Sequence, residues 1–279
     1  MENPRKKIGI IYHGRHSAAI SCSLELENSA RQEGLTVWRA PAAAEEEIRK
    51  QARDCDLVLA VGGDGTLLRA AKGMAGCDAP IVGINLGRLG FMTEISAQEA
   101  MAKLPELLAG RGWIDARAML QAETSSQSTR FTALNDIVVG RGGTCRMIRV
   151  EARIDGQSLT TYRADGVIVA TATGSTSYSL ASGGPIVYPQ SRDILLQPIS
   201  PHLSLSSCLI LPPGAMIELV VTTDRPATLS VDGQTDMVLH NGEKVTVRLS
   251  DKVVKFLRFH PPAHFYQSLT QKLRGEPFC

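Results

Sequence analysis

The chain has 279 residues, 43% of them hydrophobic and 21% charged, with a formal net charge of +2. That length suits one large or two ordinary domains with ample core. The near-neutral balance argues against nucleic-acid or polybasic membrane binding, and no apolar run approaches the ~18 residues of a spanning helix.

The start, Met1 to Lys7, is polar and feeds directly into an apolar strand at Ile8. It lacks the separate apolar stretch and cleavage site of a signal peptide, so a cytoplasmic location is expected. The six cysteines are scattered with no Cys-x-x-Cys pair, and reduced thiols are expected. His260 and His264 have the spacing of helix-borne metal ligands, but Pro261 and Pro262 between them break such a helix.

The N-terminal part alternates strand and helix patterns, the signature of a parallel sheet covered by helices. Lys7 to Tyr12 reads as a strand and Ala18 to Glu33 as a helix ended by Gly34. Leu35 to Arg39 is a strand, Ala44 to Arg53 a helix, and Leu57 to Val61 the central strand. A glycine turn follows, then a helix from about Thr66 to Gly73, a strand Ile81 to Asn85 and a helix Gln98 to Ala109. After Trp113 the pattern turns to strands: Met119 to Glu123, Arg130 to Val139, Met147 to Ile154, Gly166 to Thr173, Ala215 to Val221, Thr228 to Val231, Lys244 to Leu249 and Val253 to Phe259. The polar stretch Thr124 to Thr129 reads as a hairpin tip, and helical periodicity returns only at Phe265 to Leu273. The fold class is α/β: an N-terminal α/β domain over 1–112, a β-rich domain over 113–259, and a tail over 260–279 whose helix is expected to return to the first domain.

The most informative segment is Val61-Gly62-Gly63-Asp64-Gly65-Thr66, where an apolar strand stops in a glycine turn. Without Cβ atoms a backbone can approach a phosphate-rich ligand closely, and the N–H groups of Gly62, Gly63, Gly65 and Thr66 can face the anion. An acid there repels phosphate, so Asp64 makes sense only if it handles a proton or a metal beside one. Sites in such proteins favour a cleft between domains and the carboxyl ends of parallel strands.

Three further clusters stand out. Asn135-Asp136 opens an apolar strand and could bond a base edge and a ribose hydroxyl, though alone it reads as a turn before a strand. Thr171 to Pro185 holds eight hydroxyl side chains and three glycines, which suits a ribose or phosphate. Tyr178, Leu180 and the Gly183-Gly184-Pro185 stop argue for an ordered loop. Asp232-Gly233-Gln234, taken alone, reads as a hairpin turn of Asp-Gly type. No P-loop and no strand-to-helix Gly-x-Gly-x-x-Gly occurs, so any nucleotide is bound by another device.

In their order and spacing these motifs resemble the NAD kinase family, the bacterial ATP-dependent form in particular. Gly83 to Phe91 and the tail from His260-Pro261 to Lys272-Leu273 are also similar to family segments. The resemblance implies phosphoryl transfer from ATP to the 2′-hydroxyl of the adenosine ribose of NAD, in a homodimer or homotetramer. It implies Asp64 as general base, with Gly65 in the same site and Arg69 as a basic NAD contact. Asn135 and Asp136 would hold the adenosine end of NAD. Arg146, Arg163 and Asp165 would lie by the dinucleotide. Thr176, Ser177, Tyr178, Ser179, Leu180 and Ala181 would line its pocket, completed by Gln234. Asp136, Ser177 and Ala181 stand where relatives commonly have Glu, Ala and Ser. A divalent ion, Mg²⁺, would offset ATP charge without a cage of protein side chains. Two alternatives stay open: a lipid or sugar-phosphate kinase with the same turn, and a nucleotide sensor without turnover. The first needs an apolar entry groove, and Asp64 argues against the second.

Overall fold

In a computed structural model of the chain, the described residues are 7–274 apart from 88–89, 127–128, 144–145 and 224–225, and apart from the side chains of 271 and 274. Arg88 and Leu89 of the Gly83–Phe91 segment, Gln127 and Ser128 of the hairpin tip, Cys145, Cys279 and the polar start before Lys7 lie outside them. Two compact units are present: residues up to Ala116 together with those from Val254 onward, and Arg117–Val253. Both crossings fall inside strands, Trp113–Thr124 and Lys244–Arg258, so no linker composition marks them.

The first unit is built on parallel strands in the order Thr36–Pro41, Lys7–Tyr12, Leu57–Val61, Ile81–Asn85, with Phe256 of the last long strand pairing Ile81. Leu57–Val61 and Ile81–Asn85 are buried throughout, as strands covered on both faces must be. Their side chains pack with Leu26 and Ala30 of the helix Ser17–Gln32 and with Leu104 and Leu107 of Ala97–Leu108. From Lys7–Tyr12 the chain first adds a strand on one side and then on the other. The carboxyl ends of Lys7–Tyr12 and Leu57–Val61 therefore form a topological switch point, and the glycine turn sits there.

The second unit is β-rich. Strands Gln157–Ala164, Ile148–Ile154, Ile217–Thr222 and the start of Lys244–Arg258 form one antiparallel array. A second sheet runs Leu209–Leu211, Ile194–Ile199, Gly166–Ala170, Asp136–Arg141, Ala227–Val231, Thr235–Leu239. Between them lies one apolar core that includes Val139, Val150, Tyr162, Val169 and Leu219.

The strand readings need correction in particular places. Arg130 to Val139 is not continuous but splits into Arg130–Ala133 and Asp136–Arg141. The reason is tertiary: the N–H groups of Leu134, Asn135 and Asp136 all donate to the Asp232 carboxylate, at 2.9, 2.8 and 3.0 Å. Conversely Lys244–Arg258 is one strand through Ser250 and Asp251, which had read as a break. The strands Gln157–Ala164, Ile194–Ile199 and Thr235–Leu239 had escaped notice, being polar, proline-bearing or acidic.

Candidate active site

The helix after the glycine turn begins at Asp64, two residues earlier than the pattern suggested. Gly62 has φ +153°, and a Cβ there would lie 2.3 Å from Thr66 Oγ1. Its N–H is spent on the Ile84 carbonyl at 2.8 Å, and that of Thr66 on Gly63 at 2.9 Å. The phosphate cradle read from the sequence is corrected accordingly. Gly62 shapes the turn and Thr66 closes it, so neither offers a backbone N–H. The N–H groups of Gly63, Asp64 and Gly65 make no hydrogen bond among the described residues. They form a helix N-terminus with three unspent donors. Nothing in the fold lies within 4 Å of a Cβ at Gly63 or Gly65, so packing requires a glycine at neither position.

The Asp64 carboxylate is held from outside its own helix. Phe91 N–H donates to Oδ2 at 2.8 Å and Met92 N–H to Oδ1 at 3.1 Å. Gly90 packs against it so tightly that a Cβ would fall 2.1 Å from Oδ1. A carboxylate has about four lone-pair sites, so among the described residues two stay open to a proton donor. Arg69, one turn along, is exposed.

Behind Asp64 a buried network braces the loop. Glu94 pairs with Arg258 at 3.2 Å and accepts the N–H groups of Phe259 and His260 at 2.8 and 3.0 Å. Arg258 also pairs with Asp115 at 3.1 Å and donates to the Met92 carbonyl at 2.7 Å. Burial would raise the Glu94 pKa, but the Arg258 charge and those N–H groups outweigh it and hold the carboxyl below its ordinary value. His260 is taken up by Glu94, and the last helix starts only at His264.

In the second unit, Asn135 and Asp136 are brought against the hydroxyl-rich loop. The Thr171 hydroxyl donates to Leu134 O at 2.6 Å and accepts the Gly174 N–H at 3.0 Å. Gly174 lies so close that a Cβ would fall 2.1 Å from Asn135 O. The loop offers fewer free hydroxyls than its composition suggested. Thr171, Ser175 and Thr176 donate to backbone carbonyls, Thr173 accepts from Arg117, and Ser177 bonds the Asp136 carboxyl. Ser179 is wholly buried. The Asn135 amide, in contrast, has no partner among the described residues. Asp136 is only 4% exposed, and burial together with the nearby Asp232 charge raises its pKa to about 7, against the opposing Ser177 hydrogen bond.

The remaining nominated residues divide between two depressions. One, about 410 Å³, is lined by Asp165 and Tyr178, with Asp165 paired to Arg141 at 2.9 Å. The other, about 760 Å³, holds Arg146 and Arg163 together with Arg149. Arg149 had escaped notice because it becomes their neighbour only through its cross-strand register with Arg163. Leu180 is half-buried and Ala181 exposed beyond Tyr178. Gln234 closes the Asp232-Gly233 turn, whose φ values of +51° and +62° are those of the hairpin turn read from the sequence.

A fixed carboxylate beside unspent helix donors lies at the switch point of a parallel sheet, the place where α/β enzymes bind their ligands. Two family models match the chain: the ATP-NAD kinase N-terminal domain over residues 17–112 and the ATP-NAD kinase C-terminal domain over 134–259. An NAD kinase of Dehalococcoides mccartyi is 43% identical over 97% of this chain and 96% of its own length. Among solved structures, yeast NADH kinase complexed with NADH superposes with TM-score 0.85 at 26% identity, covering 98% of this chain and 89% of that one. An NAD kinase from Archaeoglobus fulgidus in complex with ATP gives 0.78 at 27% identity, covering 96% and 98%. The chain belongs to the ATP-NAD kinase family.

Proposed function

We propose that the protein transfers the γ-phosphate of ATP to the 2′-hydroxyl of the adenosine ribose of NAD, giving NADP, with Asp64 as general base. The observation that carries this is Asp64 itself, clamped by two N–H groups beside three unspent ones. A ribose hydroxyl is a poor nucleophile, and phosphoryl transfer depends on alignment and charge neutralisation. Asp64 orients the hydroxyl and takes its proton as the new O–P bond forms and ADP leaves. The N–H groups of Gly63, Asp64 and Gly65 receive donor phosphate oxygens. Asn135 and Asp136 hold the adenosine end, and the exposed Tyr178 offers a ring face at the depression it lines with Asp165.

No group of three or more His, Cys, Asp or Glu suited to a metal occurs among the described residues. An ion such as Mg²⁺ would be carried in by the ATP phosphates, where it would offset their charge. Family membership supports a homodimer or homotetramer. No helix among the described residues is long and apolar enough to cross a membrane.

A donor-by-acceptor matrix of ATP, GTP and polyphosphate against NAD and NADH, with Mg²⁺, tests the reading. NADP from ATP and NAD is the expected product. ATP consumption without NAD, or none with it, would refute the reading.

Two substitutions refine it. Gly65→Ala should raise helix stability by about 0.5–1 kcal/mol, since the site has room and a helix prefers Ala. The same methyl meets the donor phosphates, so the ATP Michaelis constant should rise while the melting temperature does not fall. Asn135→Ala should raise the NAD Michaelis constant up to about tenfold with little change in kcat, the loss of one or two hydrogen bonds.

A further inference from the structure

Lys272 lies on the last helix, His264–Arg274, and its ammonium sits 4.8 Å from the centre of the Phe91 ring. Phe91 is the residue whose N–H holds Asp64 Oδ2. The lysine is partly buried, and no carboxylate lies within ion-pair distance of it among the described residues. Its neighbours in the field are Asp64 and Glu94, which favour its charge, and Arg258, which opposes it. Glu94 and Arg258 are spent on each other, and Arg258 also on Asp115 and Met92. A cation drawn partly out of water with only a ring face as partner has unmet need for an anion. The donor site beside Asp64 would bring one.

We propose that Lys272 is a further catalytic residue, whose ammonium binds the terminal phosphate of the donor and neutralises charge on the group in transfer. The inference rests on the ATP-dependent reading above. The C-terminal helix thereby becomes part of the active site, and Phe91 serves twice: its N–H fixes the base and its ring seats the lysine. Burial, then the Arg258 charge, push the Lys272 pKa down to about 8, with Asp64 and Glu94 pulling the other way. The ammonium can therefore lose its proton at mildly alkaline pH.

The test uses the full-length Lys272→Met and Lys272→Arg variants. Methionine keeps the contact with the Phe91 ring and removes the charge. Loss of one phosphate-directed cation is expected to lower kcat by about 10²–10³-fold, as for other preorganised transition-state donors. Titration with ATP and with ADP should show affinity for ATP falling more than for ADP, and NAD affinity unchanged. The alkaline fall in kcat/KM for ATP, expected near pH 8 in the parent, should move up or vanish in Lys272→Arg, which should recover part of the rate. Turnover within twofold of the parent in Lys272→Met would overturn the proposal. So would equal losses of ATP and ADP affinity, or an unchanged alkaline limb in Lys272→Arg. If Lys272→Met fails to fold, the Lys272→Arg pH profile decides alone. Failure of the parent to make NADP would strike the underlying reading instead, and is read separately.

Discussion

Asp64→Asn is expected to lower turnover by about 10²–10⁴-fold, the usual worth of a general base, and to leave NAD affinity nearly unchanged. Asparagine is isosteric, and its amide oxygen can still accept one of the N–H groups that Phe91 and Met92 present. The other N–H would face an NH₂ group, so a modest fall in melting temperature should accompany the kinetic loss. The two effects separate by size: losing a hydrogen bond explains about tenfold, and only losing the proton acceptor explains more. Turnover and equilibrium NAD binding on the same preparation check this. Turnover above about a tenth of the parent's would remove the general-base role from Asp64.

Asp136→Asn is expected to stabilise the protein at pH 8 and weaken its use of NAD. Its carboxyl titrates at about 7 when folded, against 3.8 ordinarily, because of burial and then the Asp232 charge. Between those values the folded chain keeps a proton that the unfolded chain releases. The sign follows: stability from this group is present below about pH 4, declines as pH rises, and is lost above about pH 7. The span is of order 4 kcal/mol, which for a chain of this size is on the order of 7 °C. Asparagine is neutral throughout, so its variant should melt higher than the parent at pH 8 and equally at pH 4. The NAD Michaelis constant should rise at both. Equal melting temperatures at pH 8 would mean that the carboxyl is not held in its neutral form. The opposite directions mark a residue kept for binding at a cost in stability.

Much of this was legible in the chain. The run Leu57–Val61 with Gly62-Gly63-Asp64-Gly65 announces a strand, a phosphate turn and a helix, because apolar runs and glycines act locally. The strands Lys7–Tyr12 and Ile81–Asn85 could be read for the same reason. Asp232-Gly233 looked like a turn and is one, and Asn135 lies in the bend before the strand that Asp136 opens. What could not be read is that Asp232 gathers three N–H groups from residues about a hundred positions away. Nor could the spending of the Thr171–Ser177 hydroxyls on their own backbone, which depends on how the loop folds back on Leu134 and Asn135.

By itself the sequence determined the family, the reaction class and the residue types, since a kinase turn with an acid and an ordered set of polar motifs constrains the chemistry. The tertiary structure decided which of those atoms are free. Hydrogen bonding is a matter of pairing, and pairing is settled at contact distance. Gly62 and Thr66 lost their backbone N–H groups to Ile84 and Gly63, while Gly63, Asp64 and Gly65 kept theirs among the described residues. Asp64 acquired its clamp from Phe91 and Met92, and a lysine near the chain's end came to lie over that clamp. Those contacts span 27 to more than 180 residues of sequence, a range over which no local pattern carries information.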